Sequence, residues 1–414
     1  MAISNFHPRY CSQWKDESFK RKYALKFNYP PILIKLLSIS TKRKVMSVFN
    51  KLFKSNSADD NNIETIADFW KWFKSNADTF YNAIDEGTDI ENKFFSPLAD
   101  QLYKLHERIF FLVGINKETN IAELTFTPDA IIRNIAFVEE LVKQAPQIDK
   151  WEFVALKQAS DVEGFGVKMF GRDFSSKNIQ FYPVEHPEFP DEIDIIAVYD
   201  DYDEKDHDDI FNGVCIYLDN SLGELKSITM IDNMRVRGPG DDIPELIPIE
   251  KLDAYLIWRE KEFVERYTDI THYSKEDHYG SYQGELENGM PIFAIVNHTL
   301  LNWEHKASHP WILVVMIHYD PNPETGLPNE RIYKLMEDLE VELMDRLRDV
   351  DGYINVIRET GNGLREINFA CREFRKPSRV MEEIAVKYAE HFRVEFDIYK
   401  DKYWRSFDKF NAEN

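Results

Sequence analysis

The sequence predicts an α+β protein, an α-helical hairpin followed by two tandem units in which strands and helices interleave. Three observations carry that prediction. Apolar residues between 63 and 111 recur near the 3.6-residue period of a helix. Beyond residue 120 the pattern turns twice to a strand–helix–strand succession, over 121–231 and again over 291–399. And 414 residues, 43% hydrophobic and 14% aromatic, are too many for one ordinary core and rich enough to fill several.

The hairpin is placed at 60–115. Ile63, Ile66, Ala67, Trp70, Phe73 and Phe80 mark one apolar stripe, and Phe94, Phe95, Leu98, Leu102, Leu105 and Ile109 a second. Asp85-Glu86-Gly87 between them is a stop-and-turn signal. The first α+β unit, 119–235, opens with an alternating strand at 121–126. Thr127-Pro128-Asp129 then reads as a helix start, with Thr127 as N-cap and proline at the first helical position. Ile131, Ile135, Val138, Leu141 and Val142 give that helix its apolar face. Further strands are expected at 151–156, 166–170, 179–182 and 194–199, a helix over 206–222, and a closing strand at 225–231. The order is βαβ, a β insertion, and a second βαβ. The Pro-rich stretch 243–249 reads as a linker, and a charged helix over 250–268 as a bridge between domains.

The last domain, 270–400, has the clearest pattern. Pro291 opens a strand. Residues 311–319 are a nearly continuous apolar run, as in a strand covered on both sides. Pro321, Pro323, Gly326 and Pro328 make 320–328 a loop. Ile332, Leu335, Met336, Leu339, Leu343 and Leu347 then fall at helical spacing. Strands at 353–360 and 366–372 flank Gly361-Asn362-Gly363, where Asn-Gly accepts the positive φ angles of a tight hairpin. Pro377-Ser378 introduces a helix, and 394–399 is the final strand. From Trp311 the order is β-α-β-β-α-β, that of a ferredoxin-like split βαβ. The similar order over 121–231 makes the prediction two tandem ferredoxin-like (βαββαβ-type) domains.

The C-terminal third also resembles a known family, the bacterial domain of unknown function 695. The resemblance rests on Gly289-Met290-Pro291 before a strand and Asn297 after it, and on His309-Pro310-Trp311 opening the core strand. It rests as well on Gly326-Leu327-Pro328, Glu337-Asp338-Leu339-Glu340, and Gly361-Asn362-Gly363 with Arg365-Glu366. It covers about residues 270–400 and carries no catalytic residue with it. A looser likeness in architecture, to regulator of ribonuclease activity B, an acidic inhibitor that binds a nuclease, implies a binding role.

Charge narrows the function classes. The formal net charge is −22, and it is unevenly spread: residues 1–54 carry 12 Lys/Arg against Asp16 and Glu17, leaving the rest at −32. Nucleic-acid binding through phosphates needs the opposite sign, whereas a basic protein partner fits. Cys11, Cys215 and Cys371 are odd in number and far apart, neither a disulfide framework nor a zinc pattern, which suits a reducing compartment. No apolar run reaches membrane-span length, and the chain reads as cytoplasmic. Residues 1–45 fit three readings: a disordered basic arm, a surface anchor through Ile32, Leu33, Ile34, Leu36 and Leu37, or an over-extended reading frame whose true start is Met46. The composition break near Met46 favours the last.

Several segments resemble chemical sites. Asp201 and Asp203, in the acidic run 200–209, alternate as Ca²⁺ or Mg²⁺ ligands do, but the glycine and glutamate of an EF-hand loop are missing. An acidic loop feeding a helix N-terminus is the plainer reading. His298, His305, His309 and His318 cluster near Glu304, with His305 and His309 four apart, a zinc-compatible spacing on a helix that Pro310 disfavours. Glu359 and Glu366, flanking the hairpin beside Arg358 and Arg365, read as cross-strand charge pairs. Cys371 reads as a core residue. No catalytic residue is assigned and no cofactor is expected. The leading expectation is a non-catalytic regulatory or interaction protein. The alternatives are a metal-dependent hydrolase built on the 200–209 loop or the His298–His305–His309 segment, and a peripheral membrane protein acting through residues 1–45.

Overall fold

The computed structural model describes residues 25–27, 33–34, 63–106, 108–160 and 165–410. Of the basic stretch 1–45, only strands β1 (Leu25–Phe27) and β2 (Leu33–Ile34) are described. Leu33 and Ile34 of the anchor reading thus form β2; the rest of the arm and anchor readings, the Met46 reading and Cys11 lie outside the described residues. The chain divides into two compact units. Of the described residues, the N-terminal unit comprises those up to Val184 with Ile193–Leu256; the C-terminal unit comprises Glu185–Glu192 with those from Ile257 onward.

In the N-terminal unit, helix α1 (Ile66–Glu86) starts on a capping box. The Thr65 hydroxyl accepts the Asp68 N–H, and the Asp68 carboxylate accepts the Thr65 N–H. It stops at Gly87, whose φ of +65° ends helices at low cost. A π-helical turn at Glu91–Phe95 leads into α2 (Ser96–Leu105). The helical hairpin ends there, short of residue 115. The run Phe110-Phe111-Leu112-Val113 is strand β3 (Phe110–Asn116), because its large apolar residues lie side by side, without the gaps a helix face requires. Strand β3 pairs antiparallel with β4 (Ile121–Thr127), and β4 pairs parallel with β5 (Trp151–Ala155) across helix α3 (Ile132–Lys143). The three strands share one core with the hairpin. In it Phe69, Trp70, Phe73, Phe80, Phe94 and Trp151 meet mostly edge to face, an arrangement worth about 1 kcal/mol per ring pair beyond burial. The two indole N–H groups donate to the Leu141 and Ala77 carbonyls.

The rest of this unit holds β6 (Gly166–Met169), β7 (Arg172–Ser175), β8 (Ile179–Val184), β9 (Asp194–Tyr199), α4 (His207–Leu222), α5 (Glu224–Met230), β10 (Asn233–Arg237), β11 (Ile247–Pro248) and the start of α6 (Leu252–Tyr267). Two sheets result, ordered β2-β1-β6-β7 and β10-β9-β8-β11. The segment expected as a closing strand at 225–231 is helix α5. The parallel partner of β9 is β10, where Met234 and Val236 point inward between Asn233, Arg235 and Arg237. The supposed linker pairs Ile247 and Pro248 with β8. The parallel pairs β4–β5 and β9–β10 therefore lie in different sheets, so 119–235 does not repeat a single βαββαβ sheet. The apolar residues of β4 and β5 are satisfied by the helical hairpin instead.

The C-terminal unit is built on one antiparallel six-stranded sheet. Its elements are β12 (Tyr279–Glu285), β13 (Pro291–Asn297), α7 (His298–Leu301), β14 (Trp311–His318), α8 (Glu330–Arg346), β15 (Tyr353–Gly361), β16 (Leu364–Cys371), α9 (Arg375–Tyr388) and β17 (Arg393–Lys400), in sheet order β12-β13-β15-β16-β14-β17. Strand β12 carries no apolar alternation and is not evident in the sequence. One sheet face is dry: Leu313, Val315, Ile317, Ile367, Phe369 and Cys371 are buried on it, as are Met336, Leu339, Leu343, Met381 and Ile384 of α8 and α9. Among the described residues, the other face is covered at one end only, by Leu300, Leu301, Trp404 and Phe407 over Val296, Ile312, Ile354 and Ala370. The segment Glu185–Glu192 is tied to this unit through Asp191, whose carboxylate accepts from Arg266 (2.6 Å), Tyr267 (2.6 Å) and Tyr403 (2.8 Å).

Candidate functional site

The β15–β16 hairpin sets the site. Asn362 (φ +48°) and Gly363 (φ +83°) form a two-residue turn with both central φ angles positive. Gly363 leaves little room for a side chain, since a Cβ there would lie 3.1 Å from the Tyr319 carbonyl oxygen. The turn fixes the register: Gly361 faces Leu364, Thr360 faces Arg365, and Glu359 faces Glu366. The expected pairing of glutamates with arginines across the hairpin therefore does not occur. A two-residue turn sets like against like here, and alternation sends the arginines to one sheet face and the glutamates to the other.

On the covered face, Arg358 donates to Glu340 of α8 at 2.7 Å. Arg365 lies 3.7 Å from the same carboxylate and is 1% exposed. Its Nε donates to Thr360, Tyr333 lies over its guanidinium at 5.0 Å, and its Nη1 has no hydrogen-bond partner among the described residues. Burial, and then Arg358 beside it, hold its pKa below the usual arginine range.

On the open face, the register continues Glu359–Glu366–Met316–Glu395 across four strands. The neighbouring rungs are Asn368–Val314–Asp397 and Leu364–His318–Arg393. Except for Asn368, which is buried, and Arg393, which is exposed, these side chains are half-buried. Lys409, from the C-terminal 3-10 turn, reaches Glu359 at 2.7 Å, and Asn368 donates to Glu366 at 3.0 Å. Arg393 and His318 both meet Glu395, at 2.7 and 2.9 Å, and lower its pKa, Arg393 most. Asp397 caps the Ile398 N–H. The result is a half-open β surface with four carboxylates and flanking apolar side chains. That composition suits a cationic, partly apolar ligand.

The histidines separate. His309 is fully buried at the start of β14, not on a helix with His305: a 3-10 turn at Lys306–Ser308 lies between them, and His305 is exposed. The Ser308 hydroxyl donates to the His305 carbonyl (2.6 Å), so its oxygen receives His309 Nδ1–H (2.8 Å). His309 Nε2 then holds a bare lone pair, with no partner among the described residues. Burial, with Arg372 and His272 near, lowers the His309 pKa to about 3. His272 is held by Asp277 at 2.8 Å, and the Trp303 ring packs against both the His272 and the His309 rings. His298 bonds Tyr282 instead (2.8 Å). In the N-terminal unit Asp203 caps a 3-10 turn, accepting from the Lys205 N–H, and the Asp201 carbonyl accepts from Arg172. Among the described residues, neither Asp201 and Asp203 nor His305 and His309 fall in a group of three or more metal-type ligands within 4.8 Å.

One cluster had no signal in the sequence. At the carboxyl ends of the parallel strands β4 and β5, fully buried Glu224 accepts from Thr127 (2.5 Å) and the Lys157 N–H (3.1 Å). Thr127, expected as an N-cap, donates to Glu224 while its oxygen accepts the Asp129 N–H at 3.0 Å, but α3 starts only at Ile132, with no side-chain cap. Lys157 reaches Asp219 at 3.4 Å. Burial opposes the Lys157 charge, but Asp219, Glu224 and Asp129 outweigh it and raise the pKa. Burial raises Asp219 to about 6 in spite of Lys157. Asp129, Ala130 and Leu156 around it all have positive φ, a concentration of backbone strain. The residues that meet here are up to 97 positions apart in sequence, so only folding assembles them.

The C-terminal unit is thus an α+β domain with one covered and one half-open sheet face. Residues 280–410, which make up most of it, match the family of unknown function DUF695. No curated protein and no solved structure matches the chain, so the looser likeness to regulator of ribonuclease activity B has no match behind it. Among the described residues, no helix is long and apolar enough to cross a membrane.

Proposed function

We propose that this is a non-catalytic interaction protein, cytoplasmic, whose C-terminal unit is a ferredoxin-like domain that binds a basic protein partner on its open sheet face. The observation that carries it is the row Glu359–Glu366–Met316–Glu395 with Asp397 beside it, partly exposed and set among apolar side chains. The order β15-β16-β14-β17, with helices on one face, supports the ferredoxin-like reading. The −32 carried outside residues 1–54 supports the sign of the partner, since a field of that size steers cations toward the surface.

The test is a titration of the full chain with Lys/Arg-rich peptides, read by fluorescence anisotropy at low and high salt. Binding is expected to weaken with salt, and by roughly fivefold in the double variant Glu359→Gln/Glu366→Gln. Equal affinity of wild type and double variant would sink the proposal.

A further inference from the structure

The two edges of the C-terminal sheet differ in kind. Strand β17 carries Arg393, Glu395, Asp397 and Lys400, charges of the sort that keep an edge from pairing with another chain. Strand β12, Tyr-Gly-Ser-Tyr-Gln-Gly-Glu, has no lysine and no proline, its ladder with β13 runs without a bulge, and its one charge, Glu285, is terminal. It is exposed along nearly its whole length.

The direction of its backbone groups follows from the bonds that bracket it. His298 N–H donates to the His278 carbonyl, and Leu286 N–H donates to the Met290 carbonyl. Alternation in an antiparallel ladder then turns Gly280, Tyr282 and Gly284 toward β13, and leaves the N–H and C=O of Tyr279, Ser281, Gln283 and Glu285 facing outward. Those outward groups have no bond to other described residues.

We infer that β12 is a homodimer interface, pairing antiparallel with β12 of a second copy about a twofold axis at Tyr282. The sequence is self-complementary in that register, the one that pairs all seven residues. Tyr279 faces Glu285 of the second copy, Gly280 faces Gly284, Ser281 faces Gln283, and Tyr282 faces its own equivalent. Outward-facing residues meet outward-facing residues at each hydrogen-bonded pair, as the ladder requires. No like charges oppose one another, and the axis carries an aromatic pair. A twofold normal to the sheet keeps both open faces on one side, so the dimer displays two acidic surfaces together.

Sedimentation velocity and light scattering on the full chain test this. The expected mass is twice the 48.9 kDa of the chain. Ser281→Pro removes an outward N–H and no bond to β13, and Tyr282→Lys sets like charges at the axis; each is expected to give a monomer with unchanged circular dichroism. Tyr282→Cys is expected to cross-link under mild oxidation where wild type does not, because directly opposed, non-hydrogen-bonded residues sit about 4.5 Å apart at Cα. Val386→Lys, at a site 79% exposed on α9, should leave the dimer intact. A wild-type monomer at all concentrations overturns the inference. So does a dimer that survives both Ser281→Pro and Tyr282→Lys, or a dimer that Tyr282→Cys fails to cross-link. If Ser281→Pro fails to fold, Tyr282→Lys and the cross-link decide.

Discussion

On the covered face of the C-terminal sheet, Arg358 and Arg365 close on Glu340 beneath α8. One position further along the same strands, Glu359 and Glu366 stand opposite each other on the open face, where Lys409 pairs with Glu359 and Asn368 donates to Glu366. The residue types are alike and the consequences are not. A largely buried ion cluster holds because its charges have little water as an alternative partner, so removing one member strands the rest. A partly exposed cluster keeps some of its solvent, contributes less to folding, and can exchange that water for a ligand. The hairpin therefore uses one face for structure and offers the other for recognition.

The largest break in that contrast is expected from Glu340→Ala. It leaves Arg358 and Arg365 without a counter-charge, and urea denaturation should show a loss of about 3–5 kcal/mol. Next comes acid. His309 has a folded pKa depressed from 6.5 to about 3, so at pH above 6.5 it has no effect. As pH falls below 6.5 the unfolded chain takes up a proton that the folded chain refuses, until the folded pKa is reached. The loss of stability should be about 2 kcal/mol by pH 5. His309→Gln should remove that part of the pH dependence, seen as a flatter plot of unfolding free energy against pH. Gly363→Ala, at φ +83° with the Tyr319 carbonyl 3.1 Å from the new Cβ, should cost about 1–2 kcal/mol by thermal melt, through strain at the turn that sets the register. Smallest of all, Glu366→Gln on the open face should change stability by less than about 0.5 kcal/mol. A change there as large as that of Glu340→Ala would erase the distinction between the two faces.

Much of the C-terminal unit was legible because its signals are local. The apolar run at Trp311, the Asn362-Gly363 turn and the helical stripe from Ile332 to Leu347 each name their own element. Strand β12 was not legible, since its glycines and polar residues carry no period and only pairing with β13 makes it a strand. The run at Phe110 fits either element from its sequence alone, as any short apolar stretch does, and pairing with β4 decides for the strand. Residues 225–230, within the segment expected as a closing strand, fold instead as α5 behind buried Glu224. Propensity gave way there to a tertiary partner.

The candidate site divides the same way. Composition alone established an acidic protein with an α+β pattern, because charge and periodicity are properties of residues and their neighbours. The sequence also contained the register of the β15–β16 hairpin, since a two-residue turn leaves one choice. What only the tertiary structure decided is which side of the sheet became solvent. Helices α8 and α9 cover one face and the Trp404–Phe407 segment covers part of the other. That choice made Arg365 a core residue, left Glu366 at the surface, and put His309 where no proton is welcome. Burial is set by what packs against a residue from far along the chain, and no local pattern encodes it.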